Sequence, residues 1–378
     1  LKLFIVAGEA SGDQLGYKLM RALRARHPDV EFVGVGGEAM TREGLASLFP
    51  MSDISVMGVL PVIAHLPALL GRIAETAQAA VAAKPDALIL IDSPDFTHRV
   101  ARRVRRQMPG LKVVDYVSPT VWAWRPWRAK SMRGYIDLVL ALLPFEPAAH
   151  ERLGGPKCVY VGHPLIERLD ELRGDDAAKQ SGPVLVLPGS RRSVVARMGA
   201  AFGGALARLD AARPGLEFVL PAAAPVEAQV RAEVATWPVK PRIVVGESER
   251  YAAFRTARAA LAASGTVTLE LALSNTPTIV AYRVPKIEEF IVRRMAQITT
   301  AVLPNLILGH NAFPEFYQEE AEAAPLAAAL GEIVDEGDGR RRQLADLETI
   351  GDKMLLPDGM NPSEKAAQAI DELLAVSI

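Results

Sequence analysis

A single cysteine, Cys158, in 378 residues leaves no internal disulfide to form and fits a reducing compartment. Long apolar runs are missing as well. No stretch reaches the roughly 18 residues that a spanning helix needs. The most apolar loop-like region, 54–71 ("ISVMGVLPVIAHLPALLG"), is broken by Pro61, His65 and Pro67. That argues against a span there and allows shallow contact with a bilayer surface. The chain opens on a strand pattern, "LKLFIVAGE", with no basic segment leading into a long apolar one, so no signal peptide is expected. HExxH, paired CxxC, EF-hand, Walker A, GxGxxG and DxD motifs are all absent, which removes the usual metal and dinucleotide signatures. A net charge of −1 excludes a general polyanion binder.

What remains is an ordinary globular composition, 50% apolar and 23% charged, in a chain long enough for two cores. Nearly continuous apolar runs lie at 3–8, 32–37, 87–92, 112–117, 138–143 and 158–163. A second series follows at 183–190, 217–223, 242–246, 257–265 and 277–282. Strands buried on both faces and separated by helices, such as 11–26 and 96–108, specify doubly wound parallel α/β units. A polar linker at 171–182 separates the two series. The expected fold class is α/β: two Rossmann-like domains facing a cleft, residues 1–170 and 171–345. A helical tail, 346–378, is free to pack back on the first domain.

In open parallel sheets ligands bind beyond the carboxyl ends of the strands, so chemistry is sought in those loops. The first, "AGEASGDQLG" (7–16), has Gly8, Gly12 and Gly16 for a tight turn into a helix, with Glu9, Ser11 and Asp13 beside them. It reads either as an anion-binding helix start or as an ordinary capped one. In "IDSPDFTHRV" (91–100), Asp95 suits the first turn of a helix. Asp92, where the strand stops, is a candidate general base, with a turn-forming aspartate as the alternative. His98 reads as a helix-surface residue. In the second series "VLVLPGSRRS" (184–193) offers Gly189, Ser190 and Arg191 to phosphate. "ASGTVTLELAL" (263–273) adds Ser264, Gly265 and Thr266, with Glu270 able to accept from two ribose hydroxyls. Two anion loops and an acid in one domain suggest a nucleotide diphosphate.

Three of the four tryptophans, Trp122, Trp124 and Trp127, fall in "VWAWRPWRAK" (121–130). Arg125, Arg128 and Lys130 interleave with them and Arg133 follows. From Arg99 to Arg133 there are ten Lys or Arg and one acid, Asp115, which points to a localised anionic partner. A base-stacking platform, a membrane-interface belt and core packing all fit such a cluster. Alternation would put Trp122 and Trp124 on one side of an extended segment.

Taken in order, "AGEASGD" (7–13), "DSPDF" (92–96), "YVSPTVWAWR" (116–125), "LPFE" (143–146), "VGHP" (161–164), "LPGSR" (187–191), "ASGT" with "LE" (263–270) and "LPNLILG" (303–309) resemble the lipid-A-disaccharide synthase family nearly from end to end. The resemblance implies an inverting GT-B glycosyltransferase. Such an enzyme joins UDP-2,3-diacylglucosamine to 2,3-diacylglucosamine 1-phosphate, giving the β-1,6 disaccharide and UDP without a metal or other cofactor. It implies a cytoplasmic protein held peripherally on the inner-membrane surface, with no nucleic-acid partner and with a homodimer allowed.

By the same resemblance Asp92 takes the proton of the acceptor 6-hydroxyl, with Glu9 in reserve, while Ser11, Gly12 and Asp13 face the acceptor. Gly189, Ser190 and Arg191 meet the diphosphate, Ser264 to Thr266 touch the phosphates, Glu270 holds the ribose, and Asn305 matches an active-site position. The cations among the tryptophans then fit lipid headgroups or the acceptor's 1-phosphate. One departure stands out: the family's Glu after "GSR" and two further residues is Val194 here. Competing expectations are a UDP-N-acetylglucosamine 2-epimerase, a transferase with a soluble acceptor, and a nonenzymatic basic-face module for membrane or nucleic acid. An NAD-dependent dehydrogenase is a further one, and it lacks its fingerprint glycines.

Overall fold

The computed structural model describes residues 1–54, 66–175, 179–286, 289 and 300–375, so most of the apolar region 54–71 lies outside the described residues. The chain divides into two compact units, Leu1–Pro164 with Leu356–Ile378, and Leu165–Leu355. In chain order the first has β1 Lys2–Ala7, α1 Ala10–Arg26, β2 Glu31–Val35, α2 Glu38–Arg42, β3 Ala46–Ser47, α3 Leu66–Ala83 and β4 Ala87–Ile91. It continues with α4 Pro94–Gln107, β5 Lys112–Tyr116, α5 Trp127–Met132, β6 Leu138–Ala141, α6 Glu146–Arg152 and β7 Lys157–Tyr160. The second unit has α7 Leu169–Leu172, β8 Val184–Leu187, α8 Arg192–Ala212, β9 Phe218–Ala222, α9 Glu227–Thr236, β10 Arg242–Val245 and α10 Glu247–Thr256. It ends with β11 Ala259–Ala263, α11 Val267–Leu273, β12 Thr278–Tyr282, α12 Leu303–Leu308, β13 Glu315–Tyr317, α13 Ala323–Val334 and α14 Asp338–Met354. The last helix, α15 Pro362–Ala375, belongs to the first unit and packs on α1, β5 and β6.

Both sheets are parallel throughout, in the orders β3-β2-β1-β4-β5-β6-β7 and β10-β9-β8-β11-β12-β13. The alternation of β1 shows why its run is apolar throughout. Leu3, Ile5 and Ala7 pack on one face with Leu15, Leu19 and Leu23 of α1 and Ile370 of α15. Phe4 and Val6 pack on the other with Ile73 and Ala77 of α3 and Val100 and Val104 of α4. A strand covered on both faces has no position left for a polar residue. In the second unit α8 and α13 cover the face that carries Val184, Val186 and Leu261. The edge strands β3 and β13, two and three residues long, make no apolar run and were invisible to that reading.

The polar stretch 171–182 is part of the second unit: Lys179 is buried there and its ammonium donates to the Ser274 carbonyl. The region 346–378 is divided, with α14 in the second unit and α15 in the first. Asp13, expected to face the acceptor, is taken up by a neighbouring element. It is buried, and its carboxylate accepts the N–H groups of Gly37 at 2.8 Å, Ala39 at 2.9 Å and Met40 at 3.1 Å. Those are the otherwise unpaired donors at the start of α2, so Asp13 caps a neighbouring helix rather than its own. Removing a buried acceptor strands all three donors. Asp13→Ala is expected to lower the unfolding free energy by roughly 3 kcal/mol, read from the urea midpoint.

Candidate active site

Register brings the first site together. Ala7 of β1 pairs with Ile91 of β4, so the loops that follow leave the sheet side by side. Gly12 lets α1 start against β4, since a Cβ there would lie 3.3 Å from the Ile91 carbonyl oxygen. Asp92 and Ser93 are consecutive left-handed residues, with φ of +60° and +46°. Such conformations cost about 1–3 kcal/mol each and persist only where the surroundings dictate them. Here the Asp92 N–H donates to the Tyr116 carbonyl at 3.1 Å, and Oδ1 accepts the Ser93 N–H at 2.7 Å. The Ser11 hydroxyl lies 3.5 Å from Asp92 Oδ2, and the Ser93 hydroxyl 3.4 Å from Glu9 Oε1. Gly8 makes this approach feasible, because any Cβ there would overlap Cβ and Oγ of Ser93. Glu9, Asp92 and Ser93 line a cavity of about 300 Å³ whose other wall is apolar, with Leu66, Leu69, Leu70 and Ile73 of α3 and Phe96 of α4.

The second unit repeats the device. Leu187 of β8 pairs with Ala262 of β11, and the loops beyond them line a cavity of about 380 Å³. Gly189, Ser190, Ser264, Gly265, Thr266 and Glu270 all border it. Gly189 has φ +110°, and a Cβ there would meet Val194 Cγ1 at 2.8 Å. Val194, at the departure position, therefore packs beneath the loop and against the core. Arg191 occupies the N-cap position of α8, exposed and beside the cavity lining rather than in it.

Glu270 is buried; Arg250 donates to its Oε1 at 3.0 Å and the Tyr251 hydroxyl at 3.4 Å. Burial pushes its carboxyl above the ordinary range, and the Arg250 charge pulls it back. Gly246, Glu247 and Arg250 also line this cavity and were missed from sequence, although they too follow the carboxyl end of a strand, β10. Fixed amides, hydroxyls and a held carboxylate suit a phosphorylated nucleoside.

A profile of the family described as lipid-A-disaccharide synthetase matches residues 3–370. The lipid-A-disaccharide synthase of Bradyrhizobium diazoefficiens is 54% identical over 92% of this chain and 91% of its own. That of Rhodospirillum centenum is 40% identical over 98% and 94%. The chain belongs to the lipid-A-disaccharide synthase family. It is a glycosyltransferase, and its fold is GT-B. Among solved structures, the UDP-GlcNAc 2-epimerase from Neisseria meningitidis bound to UDP-GlcNAc superposes with a TM-score of 0.58 at 12% identity, covering 99% of this chain and 100% of that one. The calicheamicin glycosyltransferase CalG4 gives 0.56 at 15% identity, covering 99% and 98%. These two share the fold.

Other expected site residues prove to be placed by packing. Asn305 is buried, and its amide nitrogen donates to Asn311 Oδ1 at 2.7 Å and the Phe313 carbonyl at 2.9 Å. Its Oδ1 accepts the Phe313 N–H at 2.8 Å, so the side chain pins the turn after α12 while bordering a cavity of about 460 Å³. The tryptophan stretch is not extended either: the N–H groups of Ala123 and Trp124 both donate to the Thr120 carbonyl in a tight turn. Trp122 is consequently buried edge-on to Phe145, donating to Glu146 Oε1 at 3.1 Å, so of the three readings core packing holds for it and a membrane-facing role does not. Trp124 is half-buried, and Trp127, Lys130 and Arg133 are exposed. His98 is buried rather than on the helix surface, 3.0 Å from Asp115 and 3.2 Å from the Tyr135 hydroxyl.

Glu146 Oε2 also accepts the Leu143 N–H, at 3.0 Å. Burial nevertheless pushes its carboxyl up from 4.5 to about 7, against the pull of these two donors. Between those values the folded chain keeps a proton that the unfolded chain has lost, so this contribution to stability falls as pH rises through the window. The stability difference between the wild type and Glu146→Gln is expected to move by roughly 3 kcal/mol against the wild type from pH 4.5 to 7, measured by urea unfolding. At the first cavity, Gly8→Ala displaces Ser93 and with it Asp92. It is expected to lower kcat roughly a hundredfold while leaving UDP affinity, measured calorimetrically, at the wild-type level.

Proposed function

We propose that Asp92 is the general base of lipid-A-disaccharide synthesis, acting on an acceptor bound in the 300 Å³ cavity beside it. The observation that carries this reading is the pairing of a strained, sheet-anchored carboxylate with an apolar wall in one chamber. The family's reaction condenses UDP-2,3-diacylglucosamine with 2,3-diacylglucosamine 1-phosphate, and its acceptor needs both features. Its 6-hydroxyl must lose a proton as it becomes a nucleophile, and its acyl chains must leave water. In the proposed step the 6-oxygen attacks the anomeric carbon of the donor. The proton passes to Asp92, and UDP departs from the opposite face, which inverts the anomeric centre. Glu9, near Ser93, is the reserve base.

Charge that builds on the departing diphosphate is met by the loops at Gly189–Ser190 and Ser264–Thr266, by Arg191, and by the start of the long helix α8. Glu270 accepts from the ribose through Oε2, since Arg250 and Tyr251 both bond Oε1. No metal takes part in this proposal. No described helix is long and apolar enough to cross a membrane. The exposed Trp127, Leu66 and Leu70 support peripheral contact with a bilayer, and we place that contact on the cytoplasmic face of the inner membrane. Asp92→Asn is expected to lower transfer about a thousandfold with UDP binding intact, and Arg191→Ala to weaken UDP binding roughly tenfold. Near-normal turnover in Asp92→Asn would sink the assignment and move the base to Glu9.

A further inference from the structure

Beside the Asp92 cavity lies a second concavity of about 290 Å³, and four arginines converge on it from two stretches of the chain. Arg99 and Arg102 come from α4, three residues apart and so on one helical face. Arg125 and Arg128 come from the tryptophan turn and α5. Among the described lining residues one carboxylate faces them: Asp95, largely exposed and already 3.2 Å from Arg128. Two guanidiniums are fixed, Arg102 by the Tyr135 hydroxyl at 3.0 Å and Arg128 by the Pro94 carbonyl at 3.1 Å. Arg102 also stacks 4.6 Å over the Tyr135 ring. Arg125 is held in a left-handed conformation, φ +55°, which a non-glycine residue adopts only under constraint. Arg99 borders both concavities, as do Pro94 and Asp95, so the two adjoin.

Four cations around one acid repel one another in a concave space, and a doubly charged ligand relieves that repulsion. Lys130 and Arg133, exposed as well, lie outside the lining of this concavity. Arg99 stands roughly 7.5 Å along the α4 axis from Pro94, beside the catalytic carboxylate, at 1.5 Å per residue. That is on the scale of one pyranose ring with its substituents. We propose that Arg99, Arg102, Arg125 and Arg128 form a phosphomonoester subsite that takes the acceptor's 1-phosphate while its 6-hydroxyl faces Asp92. This rests on the reaction proposed above and, of the two anionic partners open to Arg125 and Arg128 from sequence, takes the acceptor's phosphate over lipid headgroups.

Two arms test it. In the first, wild type, Arg99→Gln and Arg125→Gln are titrated with water-soluble glucosamine 1-phosphate, following the fluorescence of Trp127, which borders the concavity. Saturable quenching in the wild type that weakens roughly tenfold or more in each variant supports the subsite; no saturable change in the wild type overturns it. This arm needs no turnover, so it decides even if the transferase reading fails. In the second, kcat/KM is compared for diacylglucosamine acceptors with and without the 1-phosphate, alongside binding to vesicles of anionic phospholipid. Each variant is expected to lose roughly ten- to a hundredfold of the preference for the phosphorylated acceptor, with vesicle binding retained and Arg106→Gln behaving as wild type. Loss of vesicle binding with the preference intact would make the arginines a headgroup site and overturn the proposal.

Discussion

Where two neighbouring parallel strands send their crossover helices to opposite faces, the loops at their carboxyl ends diverge and leave a crevice that no helix covers. β1 and β4 are such a pair in the first sheet, and β8 and β11 in the second. The divided packing of β1 records it, with Leu3 and Ile5 under α1 and Phe4 and Val6 under α3 and α4. Glu9 and Asp92 are neighbours because Ala7 and Ile91 share a register, and Gly189 and Ser264 because Leu187 and Ala262 do. Without these two reversals of strand order the residues that line each cavity would lie on loops set apart.

The two crevices solve their backbone problem in opposite ways. In the second unit's crevice glycine brings bare peptide to the cavity: Gly189 and Gly246 both take positive φ without a side chain to strain. The first unit's crevice has a carboxylate at the turn itself, and Asp92 and Ser93 take left-handed geometry that glycine would adopt freely. The relief comes from across the crevice, at Gly8, whose missing side chain is the space that Ser93 occupies. Glycine is thus displaced by one loop from the strain it accommodates.

Most of the architecture was legible because a strand buried on both faces writes itself as an unbroken apolar run, and because ligand loops sit at predictable ends of such strands. Residues whose role depends on a partner from another element were not. Asp13 reads as an acid in a glycine-rich loop until Gly37, Ala39 and Met40 are seen to donate to it. His98 reads as a surface residue because its partner, Asp115, lies on another element, β5. The tryptophans misled for a different reason: alternation has meaning only in an extended segment, and one carbonyl, that of Thr120, turns this one. Family resemblance located Asn305, whereas only its bonds to Asn311 and Phe313 show how it is spent.

The last helix has a bearing on how the chain is made. Ala366, Ala367, Ala369 and Ile370 of α15 sit in the same core cluster as Leu3, Ile5 and Leu19. A ribosome delivers the chain from the amino end, so the first unit waits for the final residues before one face of its sheet can close. The second unit, contained within Leu165–Leu355, has all its parts sooner. During synthesis, the unit translated second is therefore the first able to finish, while the earlier strands hold an uncovered apolar face that needs protection until α15 emerges.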